Sequence, residues 1–349
     1  MSLWPVYTGG GEPHDGITQL PPPPPWRAFD GKPLLPPPSE DPEDAASSPD
    51  RTHRAQTYVV TEQSVELVNA ALYLRRPLLV TGPPGSGKSS LPYAVARELM
   101  LGPVLRWNVT SRSTLDDALY QYDPLSRLYA AREEGAGKSV IMAPRARRDN
   151  DIADHLRLGP LGTALLPHQR PRALLIDEID KGDLDLPNDL LNVLEEGQFE
   201  IPELVRTAHR APEAHIMVAG ADDRVPVHRG RVRCHAFPFV VLTSNGEREF
   251  PPAFLRRCVT LELRQPDERQ LKAIVEAHLG GLDTGALELV DTFLHRASGG
   301  ELATDQLLNA VYLTRASGLQ GASRERLAEH LMPYLSQVLE PEGLRPDEF

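Results

Sequence analysis

The chain has 349 residues, with 37 Lys and Arg against 49 Asp and Glu and a formal net charge of −12. That balance, without any Lys/Arg-rich block, argues against a grip on nucleic acid or anionic lipid. Cys234 and Cys258 are too few for a disulfide framework and lack zinc-site spacing, and no run nears the roughly 20 apolar residues of a membrane span.

The opening stretch, MSLWPVYTGGGEPHDG, shows no basic segment leading into an apolar one; a soluble, cytoplasmic protein is expected. Residues 1–57 carry LPPPPPW and LLPPPSEDPEDAASSPD, where missing amide donors and fixed φ oppose helices and ladders. This predicts a disordered or polyproline II arm, either an unstructured tail or one that docks on a neighbour through Trp4, Trp26 and Phe29. From residue 58 a globular unit is expected. Thr61 can cap a helix with Val65, Val68, Ala71 and Leu72 on one face, ending at Arg75, Arg76 and Pro77.

Short apolar runs then alternate with helical patterns: PLLVT (77–81), VLRWNV (104–109), ALLID (173–177), FVVLT (239–243) and VTLEL (259–263). Strands this apolar, alternating with helices, predict a five-stranded parallel sheet covered on both faces, an α/β core over 58–264. After Pro266 only helical patterns remain, around 268–279, 285–297, 303–315 and 323–339. A small all-helical unit over 265–349 is expected.

Gly82, Pro83, Pro84, Gly85, Ser86, Gly87, Lys88 and Ser89 complete a G-x-x-x-x-G-K-[ST] phosphate loop, with Ser90 following. A strand before it and a helix after it are what the mechanism needs. Backbone amides at Gly85 and Gly87 can turn around a β-phosphate, Lys88 reaches the β/γ oxygens, and Ser89 can ligate Mg²⁺. ATP and Mg²⁺ are the cofactors this implies. Pro92 is out of place, removing an amide donor near the start of that helix.

ALLIDEID brings Asp177 and Glu178 to the carboxyl edge of a strand, where open α/β sheets bind ligands. Asp177 suits the Mg²⁺ shell and Glu178 suits polarising an attacking water; an ordinary acidic turn, with Asp180, Asp183 and Asp185 following, is the bland alternative. Asn245 ends the strand in VVLTSNGEREFPPAFLRRC and could reach between a γ-phosphate and the lytic water, or could merely serve an Asn-Gly turn. Arg256 and Arg257 fall in the next helix, where a guanidinium could meet transferring phosphoryl charge or simply face solvent.

The order phosphate loop, LLIDEID, TSN, FLRRC, then helices resembles the AAA+ ATPases, specifically their MoxR-type branch. GPLGTALLPHQRPRALLIDEIDKGDLDLPNDLLNVLEEGQFEIPE and LDDALYQYDPLSRL carry the finer likeness, which spans about residues 58–340. The resemblance implies a P-loop core with a helical lid and a ring, usually hexameric, with ATP at subunit interfaces. It gives Lys88 and Ser89 the phosphate-loop roles, Asp177 and Glu178 the metal-holding and catalytic roles, and Asn245 the first sensor. Arg257, with Arg256 as second choice, would be the finger reaching a neighbour's site. No second-sensor arginine is assigned, since Thr304 and Asp305 stand where many relatives carry one. Inserts are expected near 126–158 and 200–235. In the second, DDRVPVHRGRVRC forms a hairpin and 203–221 is an added segment, either a partner contact or only loop.

A second Gly-Lys-Ser, at Gly137, Lys138 and Ser139 after Gly135, lacks a preceding strand and has Arg132 where the motif needs its first glycine. The resemblance puts it on an insert facing the ring pore, with Lys138 a mobile basic residue; Tyr120 and Tyr122 are weaker pore candidates, packing being their bland reading. The function expected is ATP-driven remodelling or activation of a protein client, chaperone-like. A client or adaptor with a von Willebrand factor A domain is the partner the resemblance implies. An ATP-gated scaffold or switch in a multi-gene defence or signalling system is the alternative, and a nucleic-acid motor fits the charge least.

Overall fold

The computed structural model describes residues 4–36, 48–136, 152–297 and 302–318, together with 326 and 330–332. Helices α1 (Pro49–Thr57) and α2 (Glu62–Leu74) precede strand β1 (Leu78–Thr81), helix α3 (Leu91–Glu98) and strand β2 (Leu105–Asn108). Next come α4 (Leu115–Leu119), β3 (Tyr120–Tyr122), α5 (Pro124–Ala136), β4 (Leu156–Leu158), α6 (Pro160–Ala164) and β5 (Ala173–Asp177). After α7 (Leu186–Glu196), β6 (Gln198–Glu200) and α8 (Pro202–Thr207), the strands β7 (Glu213–Met217), β8 (Arg224–His228), β9 (Arg231–Arg233) and β10 (Phe239–Ser244) follow. Helix α9 (Pro252–Leu255) and strand β11 (Val259–Glu262) close the core, and α10 (Glu268–Leu279), α11 (Thr284–Ala297) and α12 (Thr304–Ser317) form the lid.

The five expected strands make one parallel sheet in the order β11-β1-β10-β5-β2. Successive side chains of a strand point to opposite faces, and both faces are buried. Leu78, Val80, Leu175 and Val241 pack with α2 and α3 on one side, while Leu79, Leu174, Ile176 and Leu242 pack with α6 and α7 on the other. The lid has its own core, including Leu271, Val275, Phe293 and Leu307. Most of the expected helix over 323–339 lies outside the described residues, as do Gly137, Lys138 and Ser139.

A second sheet, in the order β3-β4-β7-β8-β9-β6, was not anticipated beyond its β8–β9 hairpin. The added segment 203–221 is not bare loop: it supplies α8 and β7, and β7 pairs with both β4 and β8. Leu156, Leu158, Ile216 and Val227 anchor this sheet on the core. Tyr120 and Tyr122 pack against the same cluster, partly buried.

Residues 4–36 run against the core, with Leu20 and Pro24 in polyproline II-like backbone (φ −57°, ψ 132° and φ −52°, ψ 143°), and 49–57 form α1. Val6, Tyr7 and Ile17 are buried with α2 and α3. The fully buried Asn69 accepts from the amides of Val6 (2.7 Å) and Tyr7 (2.9 Å), and its own amide donates to the Tyr7 carbonyl (2.7 Å). The polar backbone of an irregular segment can be buried only where such partners exist. Trp4 rests edge-on against Tyr73 and Phe29 stacks on Phe237, so these two aromatics dock on their own domain rather than on a neighbour.

Candidate functional site

The phosphate loop leaves β1 and enters α3 through a turn, and α3 begins at Leu91, later than the motif alone suggests. That start accounts for Pro92: it sits in the first helical turn, where amides lack intrahelical acceptors and proline costs little. Gly85 has φ of 75°, and a Cβ there would lie 2.7 Å from the Thr304 amide nitrogen. Only glycine lets the loop turn its amides inward under the lid.

A cavity of about 710 Å³ opens over this loop, lined by 84–90, Asp177, Glu178, Thr243 and Asn245 from the core. The lid closes it with Ile274, His278, Ala303, Thr304, Asp305 and Leu308. Gly82 and Pro83 lie behind the lining, where their carbonyls accept from Lys88 Nζ at 2.7 and 2.8 Å. Burial pulls the Lys88 ammonium below its ordinary pKa, opposed by Asp180, Asp177 and Glu178. This buried cation, held at the loop by two carbonyls, is suited to a multiply charged anion.

Asp177 ends β5, nearly buried. Its Oδ1 accepts from Ser89 Oγ and Thr243 Oγ1, both at 2.7 Å, and its Oδ2 pairs with Arg106 at 2.7 Å. Burial alone would push this carboxyl upward; the hydrogen bonds from Thr243, Ser89 and Arg106 outweigh it and hold the group below its ordinary value. Adjacent hydroxyl and carboxylate oxygens form the hard donor set that Mg²⁺ prefers. The residues present therefore fit a metal–nucleotide complex.

Glu178 follows in the left-handed region (φ 61°), which turns its side chain away from the strand direction. Such a conformation is costly for a non-glycine residue and is held here by the Glu178 amide donating to Thr243 Oγ1 at 2.9 Å. Its carboxylate pairs with Lys181 at 2.9 Å, half-exposed beside the cavity. Asn245 follows β10 and lines the same cavity.

Two sets of residues here escaped sequence reasoning. Asp180 Oδ2 accepts from Ser244 Oγ and the amides of Asn245 and Glu247, at 2.9, 2.9 and 3.2 Å, thereby shaping the loop that presents Asn245. Its signal is the acid spacing of DEID, where Asp180 entered only under the bland alternative of an acidic turn. Asp50, His53 and Arg54 of α1 also line the cavity, and His53 meets His278 of the lid at 3.1 Å across its outer end. Ser48, Pro49 and Asp50 form a helix-start signature that could have placed α1.

Arg256 and Arg257 do not join this cavity within the chain, and they lie just past α9 rather than inside it. Arg257 pairs with Glu195 at 2.6 Å and lines a separate concavity of about 280 Å³ with Trp26, Arg76 and Leu191. Arg256 is exposed, its carbonyl accepting from Arg76. Thr304 and Asp305, at the start of α12, line the cavity where no second-sensor arginine was assigned. A family model described as AAA domain (dynein-related subfamily) matches residues 77–258.

Proposed function

The chain belongs to the dynein-related AAA family, the match covering more than half its length, and on that premise we propose a MoxR-type ATPase that hydrolyses ATP in a ring to remodel a protein client. The carrying observation is convergence: the phosphate loop, Asp177, Glu178 and Asn245 meet in one cavity that the lid covers. Loop amides and Lys88 bind the phosphates; Ser89 and Asp177 would hold Mg²⁺, which would neutralise charge on the phosphate oxygens.

Glu178 accepts a proton from the attacking water, and Asn245 orients that water. The Glu178 carboxylate is also ion-paired with Lys181, half-exposed beside the cavity. Arg257, remote from its own cavity, serves the neighbour's site, so hydrolysis requires assembly. The paired acids favour repeated turnover over a passive switch. The MoxR-type likeness supports the ring, hexameric by that likeness, and a client or adaptor carrying a von Willebrand factor A domain.

Glu178→Gln tests the reading. The variant should bind ATP as tightly as the parent, lose turnover by about a hundredfold or more, and accumulate as an ATP-bound assembly. Normal turnover in that variant would remove Glu178 from the mechanism.

A further inference from the structure

Trp26 is 76% exposed, although its neighbours in the arm are fixed. Trp4 and Phe29 have partners within the chain; Trp26 stands in water on a short turn, Pro25–Arg27. That turn is rigidly seated. Arg27 is buried, donates to the carbonyls of Arg75, Leu194 and Glu195, and lies over the rings of Phe29 and Phe237 at 5.2 and 4.6 Å. An indole presented on a fixed base can make a contact with little further loss of conformational entropy, and tryptophan is among the residues that dominate interface energies.

Its position narrows the partner. Trp26 shares the 280 Å³ concavity with Arg76 and Arg257. Glu195 ties the two parts together, its carbonyl accepting from Arg27 while its carboxylate pairs with Arg257. The face is net basic: Arg76 and Arg257 line the concavity with Glu195, which pairs with Arg257, and Arg256 is exposed beside them. The loops that follow Glu178 and Asn245 line a separate concavity and carry the exposed acids Asp183, Asp185, Glu247 and Glu249 against one exposed base, Arg248, so they stay net acidic. A basic, aromatic face and acidic loops on the same chain suit head-to-tail association between copies.

We propose that the Trp26 turn is part of the contact with a second copy of this chain, seated beside Arg257 against the acidic loops that follow that copy's Glu178 and Asn245. The proposal rests on the ring reading above and adds to it the arm, which lies outside the family-matched residues.

The test is sedimentation of the full chain with Mg²⁺ and ATP over a range of protein concentrations, in the Glu178→Gln background. Trp26→Ala should raise the concentration for half-assembly by about tenfold or more. Dilute subunits of the variant should bind a fluorescent ATP analogue as tightly as the parent. Trp26→Phe should still assemble but lose a shift of tryptophan emission to shorter wavelength that accompanies assembly of the parent.

If the parent assembles and Trp26→Ala assembles at the same concentration, the proposal falls while the ring reading stands. If the parent stays monomeric at every concentration, the ring reading falls and takes the proposal with it. Weakened nucleotide binding by dilute Trp26→Ala would also overturn the proposal, by assigning the side chain to the integrity of the subunit itself.

Discussion

Glu98→Ala should loosen the N-terminal arm from the phosphate-loop helix. Glu98 ends α3 with its side chain 1% exposed, and the arm folds around it. Oε1 accepts from the Thr8 amide (2.6 Å), the Thr8 hydroxyl (2.9 Å) and the Gly9 amide (3.2 Å), and it meets His14 at 3.2 Å. Oε2 accepts from the Gly11 amide at 2.9 Å. Hydrogen bonds to a charged group contribute about 1.5–3 kcal/mol each, and stranded donors cost more than the bonds contribute. The sum overshoots, because a released arm can rehydrate its amides. A loss of about 3–5 kcal/mol, typical of removing one partner from a buried charged cluster, is the expected size. At about 2–4 °C per kcal/mol for a domain this large, melting should fall by roughly 6–20 °C.

The same carboxylate sets a pH dependence. Burial pushes Glu98 upward, but the amides of Gly11 and Thr8, the Thr8 hydroxyl and His14 outweigh it and hold the group below its ordinary value of 4.5. Its stabilisation is therefore present above that value and is lost as pH falls through the lower folded-state value. Thermal melts and limited proteolysis from neutral to acid pH read both effects. The parent should lose protection of residues 4–36 in acid, and Glu98→Ala should lack it already at neutral pH. A variant that melts within about 2 °C of the parent and keeps its arm protected would refute the reasoning.

Arg257→Ala should cut ATPase turnover by about a hundredfold or more while ATP binding persists, as expected for a trans guanidinium. Mixing it with Lys88→Ala subunits should restore part of the rate, because a mixed interface then has one intact site; absence of rescue at every ratio would exclude the shared site. Gly85→Ala should leave the fold intact but weaken ATP binding by about tenfold or more. Its φ of 75° disfavours a side chain, and the added Cβ would press on the Thr304 amide under the lid. Unchanged affinity in equilibrium titration would show that the loop relaxes freely.

What could be read from the sequence was local. The parallel strands are short apolar runs because both faces are covered, so β5 and β10 announce themselves in ALLID and FVVLT. The phosphate loop, Asp177 and Asn245 sit at the ends of such runs, which is why their convergence was legible before any fold was known. Pro92 needed only the true start of α3 to become ordinary.

What could not be read depends on partners distant in sequence. Proline content describes how the arm behaves alone, but its burial is decided by Asn69 and Glu98, which supply acceptors 62 and 90 residues away from the arm amides they bind. The second sheet has strands of three to five residues drawn from separated segments, too short for a period to register. Trp26 joins both kinds of information. In the sequence it is one of three aromatics named as docking candidates, without rank; once Trp4 and Phe29 are engaged within their own chain and Arg27 fixes the turn, its exposure beside Arg257 becomes the feature that needs an explanation. The proposed contact with a second copy would explain it with the same face that an arginine acting in trans would need.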